Sequence, residues 1–357
     1  MSAAKWMIRG AAVGGLSILL NETRKNRHFH YSKHENGTCF IDRSVPISLH
    51  GGKLLFTDIV RCYPDVEHQT GLATRKVFVI IPGNPGLVDF YWTMCQRIFD
   101  AYGGKCWVLC IGHAGHSHQS SLNDDLISYE DQIECKEALL RRELPWIAEA
   151  DVSVTLSGHS VGSRICLELM KRMAHVEFHS FYGLCPTVID IADSANGRAL
   201  TPKLTSITFR RFAAIAVQIL QFILGFLPKA MQVLIARTIM QRNGETADDY
   251  FVEIALRLVS PHLVRNSLDM ADGEMRRIRD AGQFKDVIEK YGSRITFLLS
   301  PIDKWCDEPT VAKMRIEFPQ ANFLYLSSSL PHAFVLQHRH LEEVTDAKLC
   351  HHSTLEI

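Results

Sequence analysis

At 357 residues with 46% apolar content, the chain can bury a substantial core as one large domain or two small ones. Lys+Arg and Asp+Glu each total 39, so the formal net charge is zero. That balance lacks the basic field a polyanion would need, and no nucleic-acid partner is expected.

The first twenty residues place Lys5 and Arg9 ahead of a Gly/Ala/Leu-rich stretch. Its apolar run, 11–20, is well short of the roughly 20 residues a spanning helix needs, and no small-residue cleavage site follows it. Residues 1–38 are read as an N-terminal extension, either a weak anchor or disordered. Asn36-Gly37-Thr38 is a formal glycosylation sequon, which matters only in a secreted chain.

Residues 54–60 alternate and precede the first crossover, which predicts an antiparallel edge strand. From Lys76 onward, short β-branched runs alternate with amphipathic stretches, the pattern of a parallel sheet covered by helices. Strands are expected at 77–81 (VFVII), 106–111 (CWVLCI), 152–156 (VSVTL), 178–184, 295–299 (ITFLL) and 322–326 (NFLYL). Helices are expected at 88–102, 128–142 and 163–173. The ten cysteines include no C-x-x-C pair, and several fall inside these apolar patterns. They read as buried thiols in a reducing compartment.

Residues 190–272 break the rhythm, so the α/β core is assigned to 39–189 and 273–357 with an inserted helical cap between. Within the cap, 212–227 and 230–240 are dense in apolar residues. At 1.5 Å per residue the first run reaches about 24 Å, against a hydrocarbon core of about 30 Å. Two readings stand: helices packed inside the cap, or contact with a lipid surface, a membrane leaflet or monolayer, through 204–240. In the second, Arg210, Arg211, Lys229 and Arg237 would meet headgroups.

Gly158-His159-Ser160-Val161-Gly162 matches G-x-S-x-G and lies between an expected strand and an expected helix. That context suits a nucleophile on a strained turn, with glycines where any side chain would strike neighbouring backbone. Ser160 is the candidate nucleophile. A hydroxyl needs a base, and the base needs a carboxylate to hold its tautomer. Asp303 follows the strand at 295–299 and His332 follows the strand at 322–326, the expected chain order at one sheet edge. Asp190 and Asp193 are the fallback acids, and Asp307 is expected to cap the next helix.

Two backbone donors must face the oxyanion. Val161 N–H is one, and Asn84 N–H, in Pro82-Gly83-Asn84-Pro85-Gly86, is chosen as the other because proline cannot donate. Gly83, His113, His116 and His159 are expected around the pocket. Three histidines in the loop 113–118 lack a carboxylate or thiolate at metal spacing, so no metal site and no cofactor is expected.

With IIPGNPG (80–86), HAGH (113–116), GHSVGS (158–163), CPT (185–187), PIDKWC (301–306) and PHAF (331–334), the sequence resembles the lipid droplet-associated hydrolases, a branch of the α/β-hydrolase superfamily. The resemblance implies a serine hydrolase with nucleophile Ser160, acid Asp303 and histidine His332. It further implies a lipid substrate, a sterol ester, with a role in lipid storage and cholesterol homeostasis, and residence on the cytosol-facing surface of lipid droplets and endoplasmic reticulum. A weakly active or non-enzymatic droplet-binding protein, and an acyltransferase using the same three residues, are the alternatives.

Overall fold

The computed structural model describes residues 28–34, 36–65, 74–117, 127–242 and 249–350. The first 27 residues and His118, on which part of the sequence reading falls, lie outside them. Nine strands form one sheet: β1 (His28–His34), β2 (Gly37–Ser48), β3 (Leu54–Pro64), β4 (Arg75–Ile81), β5 (Cys106–Ile111), β6 (Val152–His159), β7 (Phe178–Leu184), β8 (Ile295–Leu299) and β9 (Asn322–Tyr325). Their order is β1-β2-β3-β5-β4-β6-β7-β8-β9, antiparallel through β5 and parallel from there on.

The central strands are apolar on both faces because both faces are covered. Val77, Val79 and Ile81 of β4 join one core, with α2 (Tyr129–Glu143) and α3 (Val161–Arg172), while Phe78 and Ile80 join the other, with α1 (Trp92–Ala101). A short 3-10 turn, Val88–Tyr91, precedes α1, so the helix begins four residues later than position 88. Ser128 starts α2 with a capping box: its hydroxyl accepts from Asp131 N–H and its own N–H donates to the Asp131 carboxylate.

Three expectations change. Strand β3 is not at the edge, because β2 and β1 pair outside it, and β1 lies inside the stretch read as an extension. HFHYSKH offers only Phe29 and Tyr31 as an alternating apolar pair, too short a run to mark a strand. Cys39 and Cys62 stand directly opposite one another in the β2–β3 ladder and are joined as a disulfide, so not all ten cysteines are thiols.

The insertion forms α4 (Ala195–Leu204), α5 (Ile207–Gly225), α6 (Lys229–Arg242), α7 (Asp249–Arg257) and α8 (Pro261–Arg277), the last running five residues past position 272. Helix α5 begins before the apolar run, where Ser206 caps it by accepting from Phe209 N–H, and its 19 residues measure about 28 Å. By length and composition it could cross a membrane. It is not a buried cap helix: none of its residues is buried. Arg210, Ala213, Ala214, Val217 and Leu224 form its half-covered stripe, with Arg210 pairing to Asp269 and Asp272 of α8 at 3.1 and 2.8 Å. The large apolar side chains point outward, with Phe212 and Phe222 each 69% exposed and Phe226 just beyond the helix 74% exposed. On α6, Met231, Leu234 and Ile239 continue the exposed apolar surface. The chain closes with α9 (Lys285–Tyr291), α10 (Glu308–Glu317) and α11 (His338–Val344). Asp307 caps α10, as its spacing predicts, by accepting from Thr310 N–H.

Candidate active site

Ser160 sits between β6 and α3 with φ +52° and ψ −124°, a left-handed conformation that non-glycine residues rarely adopt. The turn is this tight because both flanking glycines touch backbone. A Cβ on Gly162 would lie 2.1 Å from the Ile81 carbonyl oxygen, and one on Gly158 would lie 2.5 Å from Gly162 itself. Ser160 N–H donates to Leu184 O at 3.0 Å, and Ser163 Oγ donates to Gly158 O at 2.6 Å, which fix the turn against β7 and the start of α3.

Asp303, in the loop after β8, and His332, after β9, reach this turn. His332 Nε2 is 3.0 Å from Ser160 Oγ, and His332 Nδ1 is 2.7 Å from Asp303 Oδ2. An anionic carboxylate can only accept, so Nδ1 carries the proton and Nε2 is left to accept from the serine hydroxyl. Asp303 is buried, and its other oxygen accepts from Trp305 N–H at 2.8 Å and Cys306 N–H at 3.3 Å, which hold its orientation. Of the two fallback acids, Asp190 and Asp193, Asp190 pairs with Lys313 at 2.8 Å instead.

Around this chain the other expected residues take distinct places. Gly83 packs on the serine, and a Cβ there would stand 3.1 Å from Ser160 Cβ. Among the described residues, Asn84 N–H donates to no backbone acceptor outside helices and strands, and Val161 N–H, at the first position of α3, is one of the amides a helix leaves without an internal partner. Val161 opens α3, where the helix dipole also favours negative charge. His113 and His116 are fully buried behind the Pro82–Gly86 loop: a Cβ on Gly86 would collide with the His113 ring, and Gly86 N–H donates to His116 Nδ1 at 3.3 Å. They brace the loop from behind. No group of three or more metal-ligating side chains occurs among the described residues.

His159 Nε2 lies 2.9 Å from the His332 carbonyl oxygen, which can only accept, so this ring carries its proton on Nε2. Its Nδ1 therefore accepts from the Tyr91 hydroxyl at 2.6 Å, and that hydroxyl accepts in turn from Gly83 N–H at 3.0 Å. Burial, and then the neighbouring His332, push His159 down to about 3, so it stays neutral. Tyr91 was missed from sequence because Val88-Asp89-Phe90-Tyr91 looks like a run of core residues.

Also unforeseen were Glu274 and Ser267 on α8. Asn84 Nδ2 donates to Ser267 O at 2.8 Å and to Glu274 Oε1 at 3.0 Å. Burial raises the Glu274 carboxyl to about 7. Lys136, fully buried on α2, donates to Gly112 O at 3.1 Å and Gln132 Oε1 at 3.2 Å, and burial lowers it to about 8.

A mostly parallel sheet with a serine on a strand-to-helix turn, and an acid and a histidine on later strand ends, defines an α/β-hydrolase. Solved structures agree on the fold: a carboxylesterase of Nitrososphaera gargenis matches at TM-score 0.56 and 14% identity over 88% of this chain and 100% of that one. A haloalkane dehalogenase from Bradyrhizobium elkani matches at TM-score 0.55 and 14% identity over 86% of this chain and 96% of that one. The lipid-droplet associated hydrolase family matches residues 74–335, and the chain belongs to that family. It is 27% identical to the lipid droplet-associated hydrolase of Gallus gallus, over 78% of this chain and 87% of that protein. It is 26% identical to that of Homo sapiens, over 78% and 86% respectively, and 26% identical to that of Drosophila melanogaster, over 75% and 86%. The chain is a hydrolase of that family.

Proposed function

We propose that the chain is a serine ester hydrolase that forms an acyl-serine at Ser160, working on lipid esters, a sterol ester first among them, at the lipid droplet surface. The observation that carries this reading is the hydrogen-bonded run from Ser160 Oγ through His332 to Asp303, at 3.0 and 2.7 Å. Ser160 Oγ attacks the ester carbonyl carbon while His332 Nε2 takes its proton. Val161 and Asn84 N–H groups receive the oxyanion. When the tetrahedral intermediate collapses, the alcohol leaves with the proton from His332. Water, activated by the same ring, then releases the acid and restores the serine. Asp303 holds the imidazole's tautomer and stabilises its charged form throughout.

The outward apolar side chains of α5 and α6 support droplet contact through 204–240, with Arg211 and Lys229 beside them. The same surface would serve residence on endoplasmic reticulum facing the cytosol, and through the released alcohol a role in lipid storage and cholesterol homeostasis. A cytosolic face is reducing, and there Cys39 and Cys62 would stand as two opposed buried thiols. A droplet-binding protein without turnover would need only α5 and α6. Labelling of the full chain by a fluorophosphonate, with Ser160→Ala as control and mass mapping of the modified peptide, tests the reading. Modification confined to Ser160 supports it, and folded protein that stays unlabelled in detergent and on droplets overturns it.

A further inference from the structure

Helix α8 lies between the exposed helix α5 and the loop that carries Asn84. On its outer side, Asp269 and Asp272 pair with Arg210 of α5. On its inner side it makes two polar connections to the core. Asn266 Nδ2 donates to Gly115 O at 2.7 Å, in the loop that carries His113 and His116 behind Gly86. Asn84 Nδ2 donates to Ser267 O at 2.8 Å and Glu274 Oε1 at 3.0 Å. Ser267 and Glu274 stand two helical turns apart, so the Asn84 amide is clamped between a backbone carbonyl above and a carboxylate below.

Glu274 is unusual in this position. Its carboxyl is buried, and among the described residues Asn84 is its hydrogen-bond partner; it forms no ion pair there. Burying a carboxyl without a cation is costly, whether it ionises or stays protonated. A leucine would fill the place more favourably if packing were its whole task. What the carboxyl oxygen supplies is an acceptor for the side-chain amide of Asn84, the residue whose backbone N–H is assigned to the oxyanion in the reading above.

We propose that Glu274 is a positioning residue: through the Asn84 side chain, cap helix α8 sets the direction of the Asn84 N–H, so the oxyanion site is completed by the cap rather than by the α/β core alone. The proposal rests on the serine-hydrolase reading above. Because Arg210 joins α8 to α5, displacement of the surface helix reaches the oxyanion site through one rigid element.

The test measures turnover of a short-chain p-nitrophenyl ester and the rate of fluorophosphonate labelling in the full chain, comparing Glu274→Leu and Glu274→Gln with the unaltered protein. Gln keeps the acceptor oxygen and Leu removes it. The expected result is a 10–100-fold fall in kcat for Glu274→Leu with KM within twofold and labelling slowed in parallel. Glu274→Gln should stay within threefold. That asymmetry is smaller than the roughly 10²–10³-fold loss on deleting an oxyanion donor outright, as suits a misaimed donor. Unchanged kcat in Glu274→Leu overturns the proposal while Ser160→Ala inactivity keeps the serine reading. Equal losses in Leu and Gln also overturn it. If Glu274→Leu fails to fold, Asn84→Ala decides, because it removes the clamped amide and keeps the backbone N–H. The same kcat loss supports the proposal and full kcat overturns it.

Discussion

His159 donates from Nε2 to the carbonyl oxygen of His332 at 2.9 Å, so the residue before the serine holds the backbone of the residue that bonds the serine. The hydrogen bonds run in one direction, from Gly83 N–H to the Tyr91 oxygen, from the Tyr91 hydroxyl to His159, and from His159 to His332. The start of the oxyanion loop and the backbone of His332 therefore share one support.

Tyr91→Phe removes the centre of that support and leaves Gly83 N–H and His159 Nδ1 unpaired. Each buried group so orphaned costs about 1–3 kcal/mol. The expected outcome is a lower urea midpoint together with a fall in kcat larger than any change in KM. A variant with the stability and kcat of the unaltered chain would remove the support from consideration.

Asp303→Asn keeps the shape but replaces an acceptor that fixes the Nδ1–H tautomer of His332. Turnover should fall by about 10⁴, the scale seen when a triad carboxylate becomes an amide. Labelling of Ser160 should slow as well. Retention of more than a tenth of the activity would point to a different acid.

Stability should fall on acidification below about pH 6.5. Burial pushes His159 and His116 down to about 3, and His113 well below its ordinary value of 6.5. Below 6.5 the unfolded chain binds protons that the folded chain refuses, so each of these groups removes up to about 1.4 kcal/mol per pH unit. Glu274 acts with opposite sign: raised from 4.5 to about 7, it lets the folded state keep a proton through that window, and stability falls there as pH rises. The three histidine slopes together exceed the opposing one of Glu274. Urea midpoints at pH 7.5, 6.5 and 5.5 should decline in that order, and Glu274→Gln should steepen the decline. A midpoint that rises toward pH 5.5 contradicts this balance.

Placing glutamates at Ile219 and Ile223, each more than half exposed, should cut adsorption to phospholipid-coated triolein droplets at least tenfold. Moving each isoleucine from water into an apolar layer is worth about 1–2 kcal/mol, and a charge in its place adds a desolvation penalty. Flotation of the variant with the droplets at the original level would assign contact elsewhere.

Gly162→Ala should yield no folded protein, because the added methyl meets the Ile81 carbonyl oxygen at 2.1 Å. Recovery of soluble chain with a near-normal melting temperature would contradict the tightness of the turn.

The run of Ser160, Asp303 and His332 was legible because each lies on the segment that follows a strand, Ser160 directly after β6, Asp303 in the loop after β8 and His332 in the loop after β9, and the fold order does the rest. Glu274 was not: it meets Asn84 across 190 residues, on a helix whose acidic residues look like an ordinary solvated face. Strand β1 escaped notice because the residues on its covered side include Ser32 and His34, polar side chains that leave no apolar period although His34 packs on Phe99. The early start of α5 was marked by Ser206, but the apolar run masked that cap. In each case the missing information lies in a partner distant along the chain, or in the absence of any covering layer.

The bare outer side of α5 gives the folded chain the character of a surfactant. In water its phenylalanines and isoleucines gain nothing from folding, while at an oil–water boundary they are released from hydration and the boundary tension falls with them. On the proposed droplet surface, occupancy would follow available interfacial area, and as a droplet shrinks copies of this chain would compete with every other surface-active molecule for room.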